Sequence, residues 1–151
     1  MKRLKLILII IWMIVIFMLS NQPADKSGDL SNGLINNTIV RVYEVFNGQV
    51  SDEKKIEILK KYSYPVRKLA HFTEYFILGI LCYIYFYENT YAFIYSLILC
   101  FVYACTDEFH QYFVDGRYCS MIDVFIDSFG SLVSLCIYKC FKNLQNIKKC
   151  V

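Results

Sequence analysis

The distribution of charge along the chain, more than its amount, limits what it can fold into. Leu6–Gln22 runs for 17 residues without a charge, Tyr75–Tyr87 for 13, Tyr91–Thr106 for 16 and Ser128–Tyr138 for 11. A helix that crosses a bilayer needs about 17–25 mostly apolar residues. The first run meets this length unaided. The others meet it when extended through a few ionisable residues: Leu69–Tyr87 through His71 and Glu74, Tyr91–Phe113 through Asp107, Glu108 and His110, and Met121–Phe141 through Asp123 and Asp127. The competing arrangement is a soluble helical core. With 57% apolar and 19% charged residues among 151, too little polar surface remains to cover three such helices. The chain is therefore expected to be all-α, a polytopic membrane protein with a four-helix up-down transmembrane bundle. One domain should fill residues 1–151, with spans near 4–22, 66–87, 91–113 and 121–141. A helical extracytoplasmic segment over 23–65 should join the first and second spans.

Local signals refine this outline. Met1-Lys2-Arg3-Leu4-Lys5 before an apolar stretch reads as a signal peptide or an anchor. Gln22 occupies a position where cleavage needs a small residue, so an uncleaved anchor is expected, ending at Pro23. Leu34, Ile35, Ile39, Val42, Val45 and Phe46 recur at helical spacing and predict an amphipathic helix, closed by Asn47-Gly48. Ser51 can cap a second short helix, with Asp52 and Glu53 in its first turn. Tyr64-Pro65 should break the chain and start the next helix at Pro65. Both short helices could lie on the membrane surface or pack on the bundle. Glu88-Asn89-Thr90 makes the second and third spans antiparallel neighbours, and Asp115-Gly116 marks the turn before the fourth. Gly130 and Ser134 permit close helix contact. Tyr87, Tyr91, Tyr112 and Tyr118 fit interfacial belts.

Orientation rests on position rather than number. Seven basic residues lie on one side, including Lys148 and Lys149, and nine on the other. The cluster before the first span and the basic tail are the better-placed signals. Both termini are therefore expected in the cytoplasm. The seven cysteines are odd in number, contain no Cys-x-x-Cys pair and imply no disulfide framework. Basic residues are dispersed among acids, so no nucleic-acid partner is expected.

On an up-down path the ionisable residues gather at one end of the bundle. Ser20, Asn21 and Gln22 close the first span, and Arg67, Lys68, His71 and Glu74 open the second. Asp107, Glu108, His110 and Gln111 close the third, Arg117 follows in the loop, and Asp123 and Asp127 open the fourth. Lys68, His71, Glu74 and Tyr75 share one helix face, as do Asp107, His110 and Gln111. A charge at the bilayer centre costs about 2.5–3.5 kcal/mol and less near the ends. Five carboxylates should therefore face the bundle interior or a cavity, where ionisable groups are functional candidates. The plainer alternative is a structural ion network near the headgroups.

The blocks Arg67-Lys68-Leu69-Ala70-His71-Phe72-Thr73-Glu74-Tyr75, Asp107-Glu108-Phe109-His110-Gln111-Tyr112-Phe113 and Gly116-Arg117-x-x-Ser120-x-x-Asp123-Val124 resemble those of the VanZ-like membrane proteins. Ser20-Asn21-Gln22 fits the family's Ser-x-Gln element. The resemblance covers nearly the whole chain, in order. It departs at Asp115, where Pro is often found, and at Asp127, where Asn is common. It implies a bacterial cytoplasmic-membrane protein linked to resistance to glycopeptides such as teicoplanin, and no settled reaction.

Three functions fit these residues. In the first, the layer binds a cell-envelope component or antibiotic through Gln22, Lys68, Gln111, Arg117 and Asp127. In the second, the chain is an enzyme acting on a lipid-linked substrate. His71, Glu74, Asp107, Glu108, His110 and Asp123 would do acid/base work, or a divalent cation would be held by this layer, with His71, Glu74, Asp107, His110 and Asp123 the first candidates and Glu108 and Asp127 also within the set. In the third, it is a structural subunit of an envelope complex. The bilayer, a lipid-linked cell-wall precursor or glycopeptide, and a second copy of the chain are the partners these readings imply.

Overall fold

A computed structural model describes residues 2–150. Met1 and Val151 lie outside the described residues, as do the side chains of Asn143 and of residues 146–150, which include Lys148 and Lys149 of the basic tail. Six α-helices follow in order: α1 (Lys2–Ser20), α2 (Ala24–Ile35), α3 (Arg41–Asn47), α4 (Asp52–Phe86), α5 (Ala92–Gln111) and α6 (Met121–Cys150). A π-helical turn, Asn36–Val40, joins α2 to α3. Among the described residues there is no strand, and four helices (α1, α4, α5 and α6) are long and apolar enough to span a membrane.

Side-chain exposure separates a membrane bundle from a soluble core. Of α1 only Ile9, Ile16 and Ser20 are buried. Ile7, Ile10, Ile14 and Phe17 are exposed, together with Ile98 and Phe101 of α5 and Phe125 and Phe129 of α6. Such an apolar girdle has no counterpart on a soluble monomer of this size. Inside it Ile9, Ile16, Tyr75, Leu78, Cys82, Cys100, Ala104 and Val124 form the core, drawn from all four spans.

Helices α4 and α6 approach closely through small residues. A Cβ on Gly130 would lie 2.4 Å from the Phe72 carbonyl oxygen, and one on Gly79 would lie 2.2 Å from Ser134 Oγ. The expected Gly130–Ser134 pair thus lies at the helix contact, with Gly79 as its counterpart on α4. The turn over residues 87–91 makes α4 and α5 antiparallel. At that end Lys2 Nζ meets Glu88 Oε2 at 2.7 Å.

Two expectations are corrected. Pro65 neither breaks the chain nor starts a helix, because α4 is continuous from Asp52 to Phe86 with Pro65 inside it. At 35 residues α4 is about 52 Å long, well beyond a hydrocarbon core of about 30 Å. Its first turns therefore stand clear of the bilayer, where water can satisfy the carbonyl that Pro65 leaves without a donor. The expected second short helix is this protruding part, capped as anticipated by Ser51, whose Oγ accepts from Lys54 N–H at 3.4 Å. The amphipathic helix begins earlier than expected, at Ala24. Ile35, Val40 and Ile58 bury one edge of it against α4, while Val45 and Phe46 stay 81% and 82% exposed.

Candidate functional site

The C-terminal ends of α1 and α5, the middle of α4, the α5–α6 loop and the first turns of α6 meet in one polar layer. Ser20 closes α1 beside α5, where its Oγ donates to Asp107 Oδ2 at 2.8 Å and accepts from Gln111 Nε2 at 2.9 Å. Gln111 Nε2 also reaches Asp107 Oδ2 at 3.3 Å, one helical turn away. Arg117 then ties the loop to α1 and α5. Its Nε donates to the Gln22 carbonyl at 2.8 Å and one terminal nitrogen to Gln111 Oε1 at 3.1 Å. The same loop is fixed to α2 by the Ala24 N–H, which donates to the Asp115 carbonyl at 3.2 Å. Ser120, just before α6, donates its backbone N–H to Glu108 Oε2 at 2.9 Å.

These bonds leave an unusual centre. His71 is 7% exposed, Asp107 3%, Glu108 1% and Asp127 0%. One potential ligand atom from each of the four lies within 4.8 Å of all the others. His71 Nδ1, Asp107 Oδ1, Glu108 Oε1 and both Asp127 oxygens are buried without a hydrogen-bond partner. His71 Nδ1 approaches Asp127 Oδ1 at 3.6 Å, too far for a hydrogen bond.

The other sequence candidates divide around this centre. Lys68 Nζ pairs with Asp123, which neutralises that carboxylate at the layer's edge. Glu74 is half-buried and lines a cavity of about 240 Å³ with Ser20, Gln22, Arg67, His71 and Arg117. His110 is turned to α1: its Nε2 lies 3.1 Å from Asn21 Oδ1 and its ring 4.5 Å from that of Phe17. Of the residues expected to share a cation, the close group thus contains His71, Asp107, Glu108 and Asp127, and leaves out Glu74, His110 and Asp123. Helical spacing aligns Asp107 with His110, but the bundle axis falls on the side of Asp107 and Glu108.

Ser20 and Arg67 line the site as well, two residues that the sequence places at this end of the bundle without a binding or catalytic role. The Ser-x-Gln element was the available signal for Ser20. Arg67 Nε is buried and unpartnered at the cavity that Arg117 also lines. Burial, and then the repulsion of Arg67, push the Arg117 guanidinium pKa down. Two guanidinium groups at one cavity favour an anionic occupant that can bridge them.

A second, smaller opening of about 60 Å³ is lined by Tyr64, Arg67, Lys68, His71, Arg117 and Asp123 among others. Tyr64 and Lys68 also border an apolar groove of about 1120 Å³, walled by Phe72, Phe101, Phe125 and Phe129 on α4, α5 and α6. Polar layer and lipid-facing groove therefore share an edge.

No curated protein and no solved structure matches the chain. A match to the VanZ/LLP1 family covers residues 5–142, nearly the whole length. With its four long apolar helices and its polar layer, this multi-pass membrane protein belongs to the VanZ/LLP1 family.

Proposed function

We propose that the chain is a cell-envelope protein of the bacterial cytoplasmic membrane whose polar layer, at the outer face, binds an amphiphilic envelope component. The anionic headgroup sits between Arg67 and Arg117, and the apolar tail lies along the groove on α4, α5 and α6. The observation that carries this reading is the shared border at Tyr64 and Lys68, where a basic opening meets an apolar groove. A lipid-linked cell-wall precursor has both features. Sequestering it would connect the site to the glycopeptide resistance, teicoplanin included, that the family resemblance implies.

The test is mass spectrometry of lipids retained by detergent-purified protein. Wild type should retain an anionic or phosphate-linked lipid, and Arg67→Gln should lose it about tenfold, the equivalent of one charge-assisted hydrogen bond of about 1.5 kcal/mol. Equal lipid profiles, with altered teicoplanin binding to the protein, would instead make the antibiotic the ligand.

A second reading is favoured by the four-residue centre, because His71 lines both polar openings. A carboxylate–imidazole group beside a bound headgroup fits a hydrolase or transferase acting on it. That reading requires a changed precursor species in cells that carry the protein.

A further inference from the structure

We infer that His71, Asp107, Glu108 and Asp127 form a binding site for a single divalent transition-metal cation at the junction of α4, α5 and α6. The observation is a pattern of unsatisfied atoms as much as a cluster of acids. Among the described residues seven buried side-chain nitrogens and oxygens lack a partner, and five of them belong to these four residues. The other two are Arg67 Nε and Tyr75 Oη. An unpaired buried polar atom is costly, and buried charges are paired or coordinate metals.

The partnered oxygens point to the same conclusion. Asp107 offers one oxygen to Ser20 and Gln111 and leaves Oδ1 free. Glu108 offers one oxygen to the Ser120 N–H and leaves Oε1 free. Each of these carboxylates is therefore oriented by a protein donor on one oxygen and presents the other inward, as ligands held by an outer shell do. Ligand atoms about 2.0–2.2 Å from one ion stand no more than about 4.4 Å apart. Separations of up to 4.8 Å therefore need a few tenths of an ångström of closure for ligands on opposite sides of the ion. Neighbouring ligands of a tetrahedral ion need up to about 1.4 Å.

Charge balance favours a cation as well. Among the described residues, no lysine or arginine nitrogen lies within 4.0 Å of an oxygen of Asp107, Glu108 or Asp127, since Lys68 is engaged by Asp123. Three carboxylates confined to this space repel one another strongly, and a divalent ion offsets most of that repulsion. One imidazole among three carboxylates suits Mn2+ or Zn2+ better than Mg2+ or Ca2+, which favour ligand sets built of oxygen alone. The ion would also pin together three helices whose polar atoms otherwise face one another unpaired. The inference does not depend on the lipid, so the headgroup reading can fail while it stands, and the reverse.

The experiment is elemental analysis of full-length protein purified in detergent without chelator. It is followed by EDTA treatment and separate titration with Mn2+, Zn2+, Mg2+ and Ca2+ while the melting temperature is recorded. One Mn2+ or Zn2+ per chain is expected, with a melting temperature that falls on stripping and recovers on addition of that ion. Glu108→Gln and Asp127→Asn should each weaken the response at least about tenfold, whereas Asp123→Asn should keep the wild-type metal content. If either ligand variant fails to fold, Ser20→Ala, which loosens Asp107 without removing a ligand, should still weaken the response. Folded wild-type protein that contains no stoichiometric cation and responds to none of the four ions would overturn the site. So would undiminished affinity in both ligand variants. A response to Mg2+ or Ca2+ alone would overturn the transition-metal assignment.

Discussion

Asp107 and His110 stand one helical turn apart on α5, yet they have different surroundings. Asp107 is buried and bonded to Ser20 and Gln111, whereas His110 is half-buried against Phe17 and Asn21. Removing a group that satisfies a buried carboxylate costs about 1–3 kcal/mol. Ser20→Ala should therefore lower stability by that amount in thermal unfolding of the detergent-purified protein, and His110→Ala by less than about 1 kcal/mol. In resistance assays Asp107→Asn and Glu108→Gln should abolish any phenotype the protein confers while its membrane level stays normal. His110→Ala should preserve it. A phenotype that tracks protein level in all three variants would mark the layer as a structural network. The sequence brought His110 and Asp107 together because they share a helix face. It could not reveal that the boundary between interior and lipid runs between them, since α1 sets that boundary through contacts made 89 residues away.

At the scale of elements, the close packing of α4 on α6 offers a sharper comparison. An alanine at Gly130 would press its methyl group on a backbone carbonyl, which cannot turn aside. At Gly79 the first obstacle is the Ser134 hydroxyl, which rotates, although Ser131 backbone atoms follow at 3.1 Å. Overpacking costs about 1–3 kcal/mol or more. Gly130→Ala should thus depress the melting temperature more than Gly79→Ala, with equal losses contradicting the fitted geometry. Gly130 and Ser134 were visible as a small-xxx-small pair, but their partner Gly79 lies on another helix and had no local signature. Pro65 carries the opposite lesson. Its local preference to begin a helix yielded to the packing of Ile58, Leu59, Tyr62 and Val66 on Ile35, Ile39 and Val40, which holds the turns before and after it in one line.

For the whole molecule, the long reach of α4 and the packing of α2 against it place residues 24–60 on the same side as the polar layer. A cysteine introduced at Gln49, in a background lacking exposed Cys119, should react with a membrane-impermeant maleimide applied to intact cells. Protection at that position, with labelling only after lysis, would put the layer at the cytoplasmic face. Labelling of this kind decides between the two sides because seven basic residues against nine do not.

The number of spans, their antiparallel order and the gathering of polar groups at one end were all determined by the sequence. They follow from hydrocarbon thickness, short connections and the cost of charge in lipid, each of which acts on residues near one another in the chain. The tertiary structure alone decided which carboxylates meet. The four residues of the inner group come from three helices, and whether a side chain enters the bundle depends on each helix's rotation about its axis. That rotation is set by packing across the bundle, at Gly130 against Phe72 and at Ser20 against Asp107, and no local pattern in the chain encodes it.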